Sequence, residues 1–223
     1  MRAIILDTET TGTKDPGLLQ SAWLEVDHMG EPIGGSNIPV ERMWNPGKPI
    51  EYGAMATHHI VAEDICDEEL ASEFKIPGWA THVIGHNVDF DIQVANGCGP
   101  QPQVKAICTL ALARRMWPDT DSHRLGALVY MLEGPSARAM LKNAHDAGED
   151  VLFCQRVLQA VCQARRPADL EALWRMSEEA RVPTVMPFGK HKGVPIRQLP
   201  GDYRAWLLRQ QDIDPYLIRA LRA

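Results

Sequence analysis

The run Ala3-Ile4-Ile5-Leu6-Asp7-Thr8-Glu9 decides how the chain begins to fold, because four apolar residues lead directly into two acids. The apolar run followed by turn-forming residues up to Gly17 predicts a buried strand and then a loop. Side chains two apart in extended backbone point the same way, so Asp7 and Glu9 should converge at the end of the strand. Two adjacent carboxylates repel unless a proton or a cation lies between them, and hard oxygen ligands favour Mg²⁺ or Mn²⁺ over zinc. The pair alone fits two solvated loop acids better than a site, unless other segments support it.

The rest of the chain predicts an α/β sandwich around a mixed sheet, since three early strands are followed by alternating strands and helices. The predicted strands cover residues 3–6, 18–26, 38–44, 82–85 and 104–108. The predicted helices cover residues 51–57, 63–74, 88–95, 110–116, 123–132, 146–164 and 168–181. Pro183 then breaks the chain, which predicts a first domain over residues 1–180 and a small module over residues 184–223. The module is expected to be α+β, with strands at 185–188 and 194–196 and helices near 202–210 and 215–221.

Composition places the chain among ordinary globular proteins, with 45% hydrophobic and 23% charged residues in a length of 223. No apolar run approaches the roughly 18 residues of a membrane helix, so no membrane partner is expected. The five cysteines form no Cys-x-x-Cys pair, which favours unpaired thiols and a cytoplasmic location. The net charge of −6 argues at first against a polyanionic partner. Residues 181–223, however, hold eight Lys and Arg against three Asp, which leaves +5 there and −11 on residues 1–180.

Two further segments place histidines and acids at the openings of helices. His86-Asn87-Val88-Asp89-Phe90-Asp91 follows the fourth predicted strand, which puts Asp91 in the first turn of the next helix. His145-Asp146-Ala147-Gly148-Glu149-Asp150 opens the longest predicted helix, and the small Ala147 permits close packing on the sheet. Each segment by itself fits a helix cap and a surface acid more simply than a site.

In this order the three segments resemble the DEDDh family of 3′–5′ exonucleases. The matching positions are Asp7-x-Glu9, His86-Asn87-x-x-Phe90-Asp91 and His145-x-Ala147-x-x-Asp150. The stretch 107–118 and the tail, with Phe188-Gly189-Lys190-His191-Lys192-Gly193, are similar to the exodeoxyribonuclease X branch of that family. The resemblance implies a ribonuclease H-like three-layer fold with a central five-stranded mixed sheet.

The resemblance also implies a site. Two Mg²⁺ ions, for which Mn²⁺ can substitute, would be held by Asp7, Glu9, Asp91 and Asp150. His145 would act as the general base. Nucleic acid would be contacted by a wider set of residues: Thr10, Thr11, Gly12, His58 and Asn87 near the terminal nucleotide, and Lys190 and Lys192 on phosphates.

The implied function is hydrolysis of DNA from its 3′ end, with preference for single strands and release of 5′-mononucleotides. An exoribonuclease acting on RNA is the nearest alternative, because nothing in the motifs reads the 2′-hydroxyl. A silent nucleic-acid-binding adaptor is a remote alternative, since it predicts a broken ligand set and all five positions are present. The motifs carry no information on oligomeric state.

Three positions depart from the usual pattern of the family. Thr13 stands where many relatives carry a leucine that pushes against the terminal bases, which predicts weaker activity on duplex ends than on single strands. Gln20 stands where the second strand often has Glu, and Gly148 where a larger apolar residue is usual. In the tail, Trp206 is expected to lie in the module's own core.

Overall fold

The first strand of the sequence lies at the centre of a five-stranded sheet. The computed structural model describes residues 1–211 and 213–223, and the backbone alone at Asn143. Its strands are Ala3–Thr10 (β1), Leu18–Val26 (β2), Val40–Met43 (β3), His82–Gly85 (β4) and Lys105–Cys108 (β5). They lie in the order β3-β2-β1-β4-β5, with β2 antiparallel to β1 and β3, and β4 parallel to β1 and β5. The predicted α/β fold with a mixed five-stranded sheet is confirmed.

Helices cover both faces of this sheet. The α-helices of the described residues are Tyr52–His58 (α1), Ala62–Ile65 (α2), Asp89–Gly97 (α3), Thr109–Met116 (α4), Leu125–Glu133 (α5), Ala137–Met140 (α6), Ala147–Arg165 (α7), Leu170–Arg181 (α8), Gly201–Leu207 (α9) and Pro215–Arg222 (α10). None of them is both long enough and apolar enough to cross a lipid bilayer.

Alternate residues of β1 serve the two faces of the sheet. Ile5 packs against residues of α7 and α8, including Leu158 and Leu173. Ile4 and Leu6 face the other way, in a cluster that contains Phe74. The period of two along an extended strand explains this division, and it explains why the acids that continue β1 also project in a fixed direction.

The segment after α2 does not form the predicted helix over residues 63–74, and that prediction is wrong beyond Ile65. The backbone N–H of Asn45 donates to the carbonyl of Glu69, and the N–H of Ala71 donates to the carbonyl of Asn45, both at 2.8 Å. These bonds tie the segment to the loop after β3 and take its backbone groups away from a helix. Phe74 still reaches the core, which accounts for the apolar spacing that suggested a helix.

The residues after Pro183 form a hydrophobic cluster of their own. Its buried members are Met186, Ile196, Leu199, Leu207, Leu217, Ala220 and Leu221. The two predicted strands reduce to a bridge between Val185 and Pro195, flanked by backbone hydrogen bonds from Met186 to Val194 and from Ile196 to Thr184. The prediction that Trp206 lies in this core is wrong, since its side chain is 47% exposed.

Arg181 joins this tail to the first part of the chain. Its guanidinium donates to both carboxylate oxygens of Asp89, at 2.9 and 2.7 Å, and lies 5.3 Å from the ring of Tyr216. The Tyr216 hydroxyl donates to Glu178 at 2.9 Å. The end of α8 is therefore bonded to the start of α3 on one side and contacts α10 on the other.

Candidate active site

The acids of the first motif lie where β1 runs on past its parallel neighbour. The pairing of β1 with β4 ends at Ile5 and Ile84, whereas β1 continues to Thr10 paired with β2 alone. A Cβ at Gly85 would lie 3.1 Å from the carbonyl oxygen of Leu6, so glycine lets β4 end close against β1. An irregularity in register follows Glu9, as is common beside active sites. The open edge of β1 thus leaves room for another element to approach Asp7 and Glu9.

That element is α3, which brings in Asp91. The turn before α3 holds Asn87 at φ +77, in the left-handed region that Asn tolerates better than most residues. Asp91 then falls in the first turn and is 5% exposed. The hydroxyl of Thr8, which lies between Asp7 and Glu9 in sequence, donates to Asp91 Oδ1 at 2.7 Å. This buried bond holds the third carboxylate against the end of β1.

The opening of α7 adds His145 and Asp150. His145 has φ +70, a strained value for a residue with a side chain, and it precedes the N-cap Asp146. One ligand atom from each of Glu9, His145 and Asp150 lies within 4.8 Å of the others. The three segments picked out in the sequence therefore meet at one place.

The raised pKa values of the four carboxyl groups show that these side chains lie close together. Burial, with repulsion from Asp91, Asp150 and Glu9, raises the pKa of Asp7 well above its usual value. Burial, with repulsion from Asp150 and Asp91, raises the pKa of Glu9 to about 8. Burial likewise raises the pKa of Asp91 to about 7 and that of Asp150 to about 6. Without cations this group must hold protons at neutral pH, so its oxygen donors and charge fit divalent metal ions.

Gln20 of β2 fastens α7 to the sheet beside these acids. Its Nε2 donates to Asp146 Oδ2 at 2.9 Å, and its Oε1 accepts the N–H of Ala147 at 3.2 Å. Asp146 in turn accepts the N–H groups of Gly148 and Glu149 as the helix cap. An amide satisfies a donor and an acceptor at once, which a Glu at position 20 could not do beside Asp146. Gln20 therefore supports the backbone that carries His145 and Asp150.

Replacing Gln20 by Ala should loosen this end of α7. We expect the free energy of unfolding to fall by about 1–2 kcal/mol, since one buried and one half-buried hydrogen bond are lost and the cap is weakened. We expect the rate of the DNA hydrolysis that the family resemblance implies to fall roughly ten-fold, the scale usual for residues that orient metal ligands. Urea unfolding and initial rates measure the two effects, with the exposed Gln93→Ala as the matched control. An unchanged rate would separate Gln20 from the site.

Gly148 has a local explanation of a similar kind. A Cβ at this position would overlap the carboxylate of Glu41, which reaches from β3 over the first turn of α7. Burial, with repulsion from Asp146 and Glu149, raises the pKa of Glu41. The carboxylate of Glu41 on β3 therefore occupies the space that a side chain at position 148 would need.

The residues predicted to border the terminal nucleotide lie at the same end of the sheet. Thr10, Thr11 and Gly12 are buried, and the N–H and carbonyl of Thr11 bond to Gly17 and Glu51. His58 Nε2 donates to the carbonyl of Thr10 at 3.1 Å, while its Nδ1 accepts the N–H of Ile60 at 3.0 Å. Burial lowers the pKa of His58, in keeping with a neutral ring. His58 thus links the segment after Glu9, through Nε2, to the backbone just after α1, through Nδ1.

The remaining predicted contacts are more exposed. Asn87 is exposed beside the acids, and Thr13, at the position where relatives carry a leucine, is exposed as well. Lys190 lines a separate cleft in the tail, and Lys192 is exposed nearby in sequence. The structure thus gathers the five proposed catalytic residues with Asn87, and leaves the two lysines on the tail.

A basic wall that the motifs did not indicate adjoins the carboxylates. A cleft of about 820 Å³ is lined by Asn87, His145 and Asp150 together with Arg114, His123 and Arg124. The two arginines are exposed. Arg114 belongs to the exposed face of α4, and Arg124 precedes α5, so each has the sequence context of an ordinary surface residue.

Comparisons with known proteins point to the same family. Exodeoxyribonuclease 10 of Escherichia coli strain K12 is 32% identical over 119 residues, which are 51% of this chain and 48% of the relative. Exonuclease X, solved in complex with 5′ overhanging duplex DNA, superposes with a TM-score of 0.62 and 25% identity over 78% of this chain and 99% of that one. The resemblance to the DEDDh exonucleases is confirmed.

Other matches add detail to this likeness. The zinc-bound form of the E. coli exonuclease I complex with single-stranded DNA shares the fold, with a TM-score of 0.60 and 20% identity over 81% of this chain and 43% of that one. The family model described as "Putative quorum-sensing-regulated virulence factor" matches residues 179–212. The chain spans about half the length of the DEDDh relative it matches in sequence.

Proposed function

We propose that the protein is a metal-dependent 3′–5′ exonuclease that acts on DNA, prefers single strands and releases 5′-mononucleotides. One observation carries the proposal: four carboxylates with raised pKa values lie together, and His145 lies within 4.8 Å of two of them. Intact acidic ligands with an adjacent imidazole fit hydrolysis, whereas an adaptor has no need of such a costly cluster. The names of the DEDDh relatives, which are DNA exonucleases, favour the same reaction.

Asp7, Glu9, Asp91 and Asp150 are the residues that would hold divalent cations, which we propose to be two Mg²⁺ ions replaceable by Mn²⁺. Such cations, when bound, neutralise phosphate charge and make a water molecule more acidic. The oxygen-only donor set of the four acids suits Mg²⁺, and the zinc-bound form of the exonuclease I complex, which shares the fold, supports a divalent ion at such a site. Repulsion within the cluster is the driving force for taking up these ions.

His145 is the group best placed to accept the proton of the attacking water. Its side chain is exposed, and its strained backbone at φ +70 projects it from the start of α7 toward the acids. Asp146 and Gln20 hold the backbone on which it depends. The backbone that carries the imidazole is therefore held in place, while the ring itself is exposed. A group that accepts a proton from water next to a bound substrate requires both.

Arg114 and Arg124 line the same cleft as His145 and Asp150 and are suited to hold the substrate's phosphates there. Positive side chains in a cleft that also holds the acids can orient a phosphodiester against the catalytic residues. Thr13 is too small to separate a base pair as a leucine would, which supports the proposed preference for single strands. Nothing among the residues of the cleft distinguishes a 2′-hydroxyl, so the DNA assignment rests on the relatives' names.

The test uses 20-nucleotide DNA and RNA of matched sequence with a fluorophore at the 5′ end. With Mg²⁺ we expect the DNA to shorten stepwise from its 3′ end and to release 5′-mononucleotides, and EDTA should stop the reaction. A blunt duplex of the same sequence should be degraded more slowly. No loss of nucleotides from either strand would overturn the proposal, and loss from RNA alone would replace DNA by RNA as the substrate.

A further inference from the structure

An exposed aromatic cleft lies in the tail, apart from the carboxylates. It measures about 640 Å³ and is lined by Phe188, Gly189, Lys190, Asp202, Tyr203 and Trp206, which we call the tail cleft. Its volume falls in the range of small-molecule pockets. The family that matches residues 179–212 has a description that names no ligand.

The aromatic residues of the tail cleft are not needed for the core of the module. That core is formed by aliphatic residues of the segment around Met186, of α9 and of α10, with Tyr203 packed at its edge. Phe188 and Trp206 remain 45% and 47% exposed. Two large apolar side chains left in water beside a complete core indicate a surface that contacts something else.

The rings are arranged as a platform. Trp206 stacks on Tyr203 with ring centroids 5.5 Å apart and planes 25° apart. His191 also contacts Tyr203, at a centroid distance of 4.4 Å and with the ring planes 59° apart. Tyr203 is thereby held between two neighbours and the core, and it fixes the orientation of the exposed Trp206.

A cation accompanies this platform. Lys190 Nζ lies 5.2 Å from the centroid of the Tyr203 ring and lines the same cleft. The whole segment from Arg181 onward carries a net charge of +5, in a chain whose remainder carries −11. The tail is therefore the part of the molecule that attracts a polyanion.

We propose that the tail cleft binds a nucleotide of single-stranded DNA, with the base stacked on Trp206 and Phe188 and the adjoining phosphate held by Lys190. This inference rests on the proposed function, and it assigns the tail the task of holding the strand that the carboxylates shorten. An aromatic platform with an adjacent cation is the arrangement by which proteins bind single strands without reading sequence. Duplex DNA hides the faces of its bases, so it lacks the surface that the platform needs. Asp202 lines the same cleft and repels phosphate, so the phosphate should bind next to Lys190 instead.

The test measures binding of a 5′-fluorescein-labelled dT20 to the full chain in EDTA, where cleavage cannot occur. Trp206→Ala should weaken binding about ten-fold, in line with the usual effect of removing a stacked base. Phe188→Ala should weaken it too, and Trp206→Phe should keep most of the affinity. Leu208→Ala removes an exposed apolar side chain two residues further on and should leave affinity unchanged. Lys190→Gln should weaken binding and lower the slope of log K against log salt by about 0.7.

The outcomes separate this inference from the proposed function. Unchanged affinity of both Trp206→Ala and Phe188→Ala for dT20 would overturn the inference, and would leave a protein partner as the occupant. An equal loss on a 20-base-pair blunt duplex would also overturn it, because stacking requires free bases. Failure of the proposed function would appear elsewhere, as the absence of 3′ nucleotide release by the wild-type protein in Mg²⁺.

Discussion

Replacing Asp7 by Asn is expected to abolish hydrolysis while making the metal-free protein more stable. Asp7 lies on β1 beside Glu9, Asp91 and Asp150, and all three raise its pKa by repulsion. The amide keeps the size of the side chain but removes one ionisable group from the cluster. We expect the rate to fall by about 10³-fold or more, equivalent to roughly 4 kcal/mol of barrier.

The stability gain follows from the direction of the pKa shifts. Glu9, with its pKa raised from 4.5 to about 8, still holds a proton in the folded protein at a pH where the unfolded chain has lost it. The folded state then binds more protons than the unfolded state, so the stability of the metal-free protein falls as pH rises from about 4.5 to about 8. The pKa of Asp7 is raised as well, by burial and by repulsion from Asp91, so Asp7 adds to the same loss of stability with rising pH, and the amide removes that contribution.

Differential scanning fluorimetry in EDTA measures the effect. The melting temperature of the wild type should fall between pH 5 and pH 8, and Mg²⁺ should restore it at pH 8. Asp7→Asn should melt a few degrees higher than the wild type at pH 8 without metal, where ~1 kcal/mol corresponds to about 2–4 °C. The exposed Asp67→Asn serves as the matched control and should change neither property. A less stable Asp7→Asn with retained activity would contradict the account of the cluster.

Replacing His145 by Asn is expected to lower the rate by about 10²–10⁴-fold, the usual contribution of a general base. Asn is the suitable substitute because it tolerates the left-handed backbone, φ +70, that His145 adopts. The folded state should therefore be retained, and the four carboxylates with it. His59, which has φ +63 at the end of α1, provides a control in the same backbone region, and His59→Asn should keep full activity.

The metal-induced rise in melting temperature distinguishes a general base from a metal ligand at position 145. We expect His145→Asn to keep this rise, because the carboxylates and not the imidazole hold the ions. A variant that lost both the hydrolytic rate and the metal-induced rise in melting temperature would identify His145 as a metal ligand instead. A ligand atom of His145 lies within 4.8 Å of donor atoms of Glu9 and Asp150, so this outcome is a real alternative.

The parts of the site that the sequence predicted share a physical basis in local rules. Asp7 and Glu9 follow from the alternation of side chains along a strand, and Asp91, His145 and Asp150 from the openings of two helices. These rules act over a few residues, so they can be read from a short window. That the three segments meet came from the family resemblance, since no local rule brings together residues more than a hundred positions apart.

What the sequence did not reveal depends on contacts between distant segments. Gln20 was visible only as a departure from the usual residue, because its partner Asp146 lies 126 positions away. The segment predicted to be a helix over residues 63–74 uses backbone groups of Glu69 and Ala71 to bond Asn45 instead. Asn45 is again a distant partner. Trp206 was assigned to the core on its apolar character alone, whereas the aliphatic residues of the tail complete that core without it.

The most direct test of the central claim is an anomalous difference map from crystals of the protein grown with Mn²⁺. We expect manganese between the carboxylates of Asp7, Glu9, Asp91 and Asp150, and none there in crystals of Asp7→Asn grown at the same concentration. Absence of manganese from this cluster in the wild-type protein, at a concentration that supports nucleotide release, would contradict the account.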